Sequence, residues 1–306
     1  YSSTDYTVGE TDLMLPMMAG DRHHNFYVDP TVAYGTDNQG YADLGLGYRW
    51  IKKDAAIFGV YVFGGYTRID NNARLWVANP GIEALGSRWD AHLNAYFPMR
   101  NRHTTVSIFP KNFFFTGHSL FSDLNNLSQY VGAGGDISVG GQLFSQAPLK
   151  AYVGSYFFNP AQTNPIWGGA AGLEYWPDTF IKVFASYTYD SLRHSTAAFG
   201  IGVELGGAHT TRINPTLEER MTDPVERNLA ELGRGSAIPS RLTDTQRALQ
   251  LLRNNIAFFS QTGGPNNGGL GLSLANCTFE NPCGPIDFTN QGTTTLNSLL
   301  PNTRFA

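Results

Sequence analysis

The sequence carries little charge and has no long apolar run. Asp, Glu, Lys and Arg make up 15% of its 306 residues, against roughly 25% in an ordinary soluble domain. No stretch approaches the ~18 consecutive apolar residues that mark a spanning helix, and mean hydropathy is negative, which excludes a helical membrane protein. Net charge is −4 with no basic patch, which excludes nucleic acid as a partner. Only two cysteines occur, Cys277 and Cys283, within Cys-Thr-Phe-Glu-Asn-Pro-Cys. Their turn-like spacing permits a small disulfide suited to an oxidising envelope compartment, and two thiols alone cannot complete a metal site. No secretory signal is visible at Tyr1, so the chain reads as a processed or trimmed form.

Glycine and aromatic residues are in excess, with 34 glycines and 13% aromatics. A transmembrane barrel wall shows lipid on one face and water on the other, so its strands average to middling hydropathy. Glycine suits tight pleats inside such a wall, and aromatics suit the interfacial girdles outside it. A soluble β-sandwich also alternates, but with shorter strands and without Trp and Tyr gathered at strand ends.

The period-two pattern is clear in several segments. In 41–51, Ala42, Leu44, Leu46, Tyr48 and Trp50 share one face, opposite Asp43, Gly45, Gly47 and Arg49. In 89–97, Trp89, Leu93 and Phe97 oppose Asp90, His92 and Asn94. Ile137, Val139 and Leu143 oppose Asp136 and Gln142; Trp167, Leu173 and Tyr175 oppose Glu174; Ile181, Val183, Ala185, Tyr187 and Tyr189 form a further such face; Phe199, Ile201 and Val203 oppose Glu204. Asp43, Arg49, Asp90, His92, Asp136, Gln142, Glu174 and Glu204 therefore fall on the lumen side. An arginine on the lipid face near the midplane costs roughly 2–4 kcal/mol. Trp50, Trp89, Trp167 and Tyr189 lie at strand ends, as amphipathic rings at a headgroup boundary do. Less regular strand-like segments are 26–34, 57–68, 75–87, 106–115 and 149–158. Eleven strands are recognisable. Closure with an even number implies about twelve, the last within 115–130, which otherwise reads as a long loop. The expected fold is all-β: an antiparallel outer-membrane barrel over residues 24–207, preceded by a periplasmic or lumenal segment over 1–23.

Composition changes after Gly207. Asn214-Pro215 and Asp223-Pro224 read as helix starts, and Asp223 with Glu226 resembles a capping box. Residues 208–239 form a helical linker expected to thread the barrel. Thr243 with Gln246 then opens a second helix, with Leu249, Leu252, Ile256 and Phe259 as its apolar stripe. From Gln261 the chain is rich in Gly, Asn and Thr without periodicity, so 240–306 reads as a short helix plus a loop-rich tail.

In order and spacing these segments resemble the β-domain of inverse autotransporters, the intimin/invasin family. The matching residues are Ala42-Asp43-Leu44-Gly45-Leu46-Gly47-Tyr48-Arg49, the Gly-and-aromatic strand 57–66, Gly81-Ile82-Glu83-Ala84, Leu93-Asn94-Ala95-Tyr96-Phe97-Pro98 and Asp136-Ile137-Ser138-Val139-Gly140-Gly141. Segments 171–175 and 199–204 come next in order, then Asn214-Pro215-Thr216-Leu217 and Pro224-Val225-Glu226-Arg227-Asn228. The resemblance covers about 180 residues and continues into the linker. It implies a barrel that anchors, exports or displays its own C-terminal segment, with adhesion or invasion as the family's use of it. Beyond the linker the sequence departs from the family, with about 70 residues that lack the alternation of an immunoglobulin-like sandwich.

No enzymatic constellation emerges. Gly117-His118-Ser119-Leu120-Phe121 lacks the second glycine of a nucleophile elbow, and the seven histidines show no metal-ligand spacing. Polar lumen residues solvate a pore or bind a linker without catalysis. Glu218, Glu219 and Glu226, beside Arg220 and Arg227, read as solvated helix charges that at most face the wall. The expectation is a non-enzymatic, cofactor-free export and display barrel. Its partners are outer-membrane lipid and a host receptor or envelope protein. Its lumen residues would contact Asn214, Pro215, Arg220, Arg227 and Asn228. Two alternatives stay open: a solute diffusion porin, and a scaffold subunit whose tail binds another envelope protein.

Overall fold

The computed structural model describes residues 7–17, 23–69, 71, 73–100, 102–116, 119–204, 211–232 and 237–253. Cys277, Cys283, His118 and the tail beyond Arg253 lie outside the described residues. Fourteen strands join one antiparallel sheet, against the twelve expected. They are β1 (Val8–Asp12), β2 (Leu15–Pro16), β3 (His24–Gly35), β4 (Gly40–Lys52), β5 (Ala56–Arg68), β6 (Arg74–Leu85), β7 (Trp89–Pro98), β8 (His103–Thr116), β9 (Ser119–Phe144), β10 (Ala147–Pro160), β11 (Ile166–Tyr175), β12 (Ile181–Asp190), β13 (His194–Val203) and β14 (Ser240–Arg253). The main path runs β1-β3-β4-β5-β6-β7-β9-β10-β11-β12-β13; β2 pairs with β3, and β8 and β14 pair with β9. One short helix, α1 (Leu217–Arg220), and a 3-10 turn (Leu229–Glu231) complete the described elements. No helix among the described residues is long and apolar enough to cross a membrane.

Within segment 1–23, Val8–Asp12 and Leu15–Pro16 pair with β3. The strand expected within 115–130 is there: residues 119–130 open β9, a 26-residue strand. One expectation changes. The predicted helix from Thr243 is strand β14 through Arg253. The Leu249/Leu252 spacing suits a helix, but pairing with β9 satisfies this backbone instead.

The chain divides into two compact units, 1–104 with 129–243 and 105–128 with 244–306. In the second, Asp244 accepts hydrogen bonds from Lys111 Nζ and Asn125 Nδ2, both at 2.7 Å. These bonds hold its carboxyl below the usual carboxylate range. Gln246 donates to Asp123 at 2.8 Å, and Phe114 stacks on Phe121.

In the first unit the strands alternate strictly, and the alternation is inverted relative to a water-soluble protein. Leu46 (44% exposed), Val62 (47%), Ile82, Leu93, Ile137 and Val153 point outward. Asp43, Arg49, Asp90, His92, Asn94 and Asp136 are buried on the other face. Glycines on that buried face make room for aromatic rings of the neighbouring strand. A Cβ on Gly47 would stand 2.1 Å from Tyr27 Cζ, and one on Gly81 2.3 Å from Tyr61 Cε2.

Candidate functional site: the linker on the buried face

The buried face packs against the chain that follows β13, described from Thr211. This segment starts at the strand ends near Glu204, where Arg212 pairs with Glu204 and lies 3.7 Å from the centre of the Trp176 ring. It finishes at the opposite strand ends, where Gln129 Nε2 donates to Ser240 Oγ at 2.7 Å and Arg241 donates to the Ser191 carbonyl. Between these points it runs the length of the strands.

Its local structure is set by caps rather than by helix length. Thr216 is the N-cap of α1. Its hydroxyl accepts from Glu219 N at 3.2 Å, while Glu219 Oε2 accepts from Thr216 N at 2.9 Å. This capping box stands one step from the Asn214-Pro215 start and replaces the one expected at Asp223 and Glu226. Asp223 instead binds Arg220 Nε at 2.8 Å, and 223–228 is irregular. Asn228 adopts φ 61° and caps the 3-10 turn by accepting from Glu231 N. That left-handed conformation is one asparagine tolerates well.

Apolar anchors divide the interior into three layers, each including linker side chains. Met221, with Leu217 beside it, joins Ile51, Ile57 and Leu85. Val225 joins Tyr27, Tyr61 and Phe63. Ala230 and Ile238, with Leu229 beside them, join a larger cluster that includes Tyr96, Tyr156 and Phe158.

Charge pairs fasten the segment between these layers. Arg49, fully buried, binds Glu83 through two bonds of 2.6 and 3.1 Å, and its Nη1 donates to the Asp223 and Met221 carbonyls. Arg220 Nη2 stands 3.3 Å from Asp90 Oδ2, and its Nη1 reaches the carbonyls of Gly86 and Trp89. Arg227 pairs with Asp43 at 3.0 Å, donates to Asn79, and lies 3.6 Å from the centre of the Phe63 ring. Asp136 accepts from Leu229 N at 3.2 Å, and Tyr96 Oη accepts from Asn228 N at 2.6 Å. At the far end Arg193 grips Glu231 through bonds of 2.9 and 2.8 Å.

Of the eight residues expected to meet the linker, Asp43, Arg49, Asp90, Asp136, Gln142 and Glu204 make direct hydrogen bonds to it. Gln142 Oε1 stands 3.4 Å from Asn214 N, Glu204 pairs with Arg212, and His92 Nε2 is 3.6 Å from Glu226 Oε2. Glu174 is the exception: its Oε1 stands 3.6 Å from Lys182 Nζ of β12, a closer cation on the adjacent strand. Of the linker residues, Arg220, Arg227 and Asn228 are buried with wall partners, whereas Pro215 lines a cavity near the entry. Arg220, Arg227 and Glu226 are thus not solvated helix charges. Sequence reasoning missed Glu83, Lys150, Arg193 and Glu231. Glu83 and Lys150 lay in less regular strand segments, and Arg193 in a turn.

No family model matches the chain, and no curated protein matches it. A structure solved in work on the in-meso crystallization of membrane proteins is similar over 79% of this chain and 96% of that one, with a TM-score of 0.57 at 16% identity. This is a likeness of fold alone. The Pseudomonas putida toluene transporter TodX matches over 64% of this chain and 68% of its own at 10% identity and a TM-score of 0.31, too low to imply a shared fold.

Proposed function

We propose that the chain is an outer-membrane β-barrel of inverse-autotransporter type, which anchors in lipid and exports its own C-terminal segment through its interior. The carrying observation is the linker itself. It enters at the Glu204 end and leaves at the Ser240 end, held by charge pairs to β4, β7 and β10 and by hydrogen bonds from its backbone to the side chains of Asn25 in β3 and Asp136 in β9. The outward aliphatic face favours lipid as its surroundings, since water-soluble proteins rarely expose so large a continuous apolar surface. The fold likeness to a structure from membrane-protein work fits this reading. Closure is part of the proposal: a bilayer leaves no edge strand unpaired, so β13 and β1 meet there.

Orientation comes from the connections. β4–β5, β6–β7 and β9–β10 are joined by two or three residues at the end where the linker enters. Short turns of this kind face the periplasm in bacterial barrels, so the tail emerges at the cell surface. A filled interior makes this a display device and not an open diffusion pore. Protease added to intact cells should remove the tail beyond Arg253 while leaving the barrel whole. Cleavage that requires a permeabilised outer membrane would overturn the export reading.

A further inference from the structure

Strand β7 places Asp90 and His92 two residues apart, so both side chains leave its buried face. Glu226 of the linker stands opposite, and one ligand atom from each of the three lies within 4.8 Å of the others. The His92 side chain is 3% exposed, and neither ring nitrogen has a hydrogen-bond partner. Its Nδ1 faces Glu83 Oε2 at 3.7 Å, and its Nε2 faces Glu226 Oε2 at 3.6 Å. Asp90 Oδ1 is also buried without a partner. Buried polar atoms are nearly always satisfied, so a buried imidazole with both nitrogens idle, grouped with two carboxylates, calls for a ligand.

A cation already bridges the two carboxylates. Lys150 Nζ stands 2.7 Å from Asp90 Oδ2 and 2.5 Å from Glu226 Oε1. It neutralises both acids but leaves the imidazole without a hydrogen bond. One imidazole with two carboxylates is a donor set for a borderline metal with one open position. Calcium and magnesium prefer all-oxygen shells of six or more ligands. Glu83 behind Nδ1 would fix the ring with Nε2 toward the ion, as carboxylate–histidine–metal triads do.

We propose that Asp90, His92 and Glu226 form a binding site for a divalent transition-metal ion of the zinc class, which displaces the Lys150 ammonium and ties the linker to the wall. Tetrahedral metal–ligand bonds of about 2.0–2.2 Å require donors as far apart as 4.8 Å to draw together by up to about 1.4 Å, within reach of carboxylate side-chain rotation. The adjoining cavity, of about 120 Å³, is lined by all three ligands and by Lys150. Glu174 lines it too and offers the displaced ammonium a new partner. The site does not depend on the export reading, because it rests on the side-chain geometry alone.

The test uses the full chain, purified in detergent and stripped with chelator. Co²⁺ is titrated by visible absorption and Zn²⁺ by calorimetry. Wild type is expected to bind one ion, His92→Ala to lose that event, and Lys150→Met to bind about tenfold tighter once the competing charge is gone. Zn²⁺ should raise the unfolding midpoint of wild type and Lys150→Met but not of His92→Ala, since a ligand of the folded state stabilises it. Glu226→Gln, outside the sheet, gives a second variant that should weaken binding if His92→Ala fails to fold. Stoichiometric binding that survives both His92→Ala and Glu226→Gln, or its absence from wild type and Lys150→Met alike, would overturn the proposal.

Discussion

Arg227 is a charge that the interior accommodates only because Asp43, Asn79 and the Phe63 ring surround it. Removing one partner of such a buried pair typically costs about 3–5 kcal/mol, because the other charge is stranded. Arg227→Met should therefore lower the urea midpoint of the folded protein strongly, as should Asp43→Asn. The double variant should recover part of the loss, with a coupling of about 0.5–3 kcal/mol between the two sites; simple additivity would mean that the pair is not formed. Gly47 makes a different demand, since its missing Cβ is what admits the Tyr27 ring. Gly47→Val should destabilise by about 1–3 kcal/mol through overpacking, measured in the same unfolding assay. Gly64 has open space around its Cβ position, and Gly64→Ala serves as the tolerated control.

At the scale of the element, each strand has an outward stripe that meets lipid or water, and one substitution distinguishes them. Val62 sits mid-strand in β5, pointing outward. Val62→Arg should cost about 2–4 kcal/mol for folding into bilayers if the residue lies near the midplane. In an aqueous setting the same exposed arginine would cost almost nothing. Reversible folding into lipid vesicles measures this directly, and an unchanged free energy would place that face in water. The stripe was legible in the sequence because a period of two needs no partner to be read, and Asp43 against Leu44 declares both faces at once. The linker contacts were legible to the same extent: a charge on the inward face has to find a partner, and the arginines after β13 were available. β14 was not legible. Leu249 and Leu252 fit a helical stripe, and only the distant β9 decides the outcome. Nor could spacing reveal Asp90, His92 and Glu226 as a cluster, because the last residue arrives from the linker and not along β7.

For the first unit as a whole, the consequence of the linker's contacts is a covered inner face. The linker contributes an apolar anchor to each of three layers and buried charge pairs between them. Such a segment is not displaced by small fluctuations, because leaving would strand Asp43 without Arg227 and take from Asp90 its Arg220 contact and from Asp136 the Leu229 amide, in the middle of the unit. Its replacement by a Gly/Ser segment of equal length removes the anchors and the arginines while preserving the chain's connectivity. In planar bilayers the wild-type protein should show little conductance, and this replacement should open steps of a size set by the polar wall. The pair Arg220→Ala with Arg227→Ala should lie between the two, flickering as the weakened linker leaves and returns. If wild type already conducts at the level of the replacement, the interior is open in the membrane and the linker cannot be its plug. If the replacement stays closed while the protein remains folded and inserted, the wall collapses without the linker, which would make the linker a structural core rather than a passenger in transit.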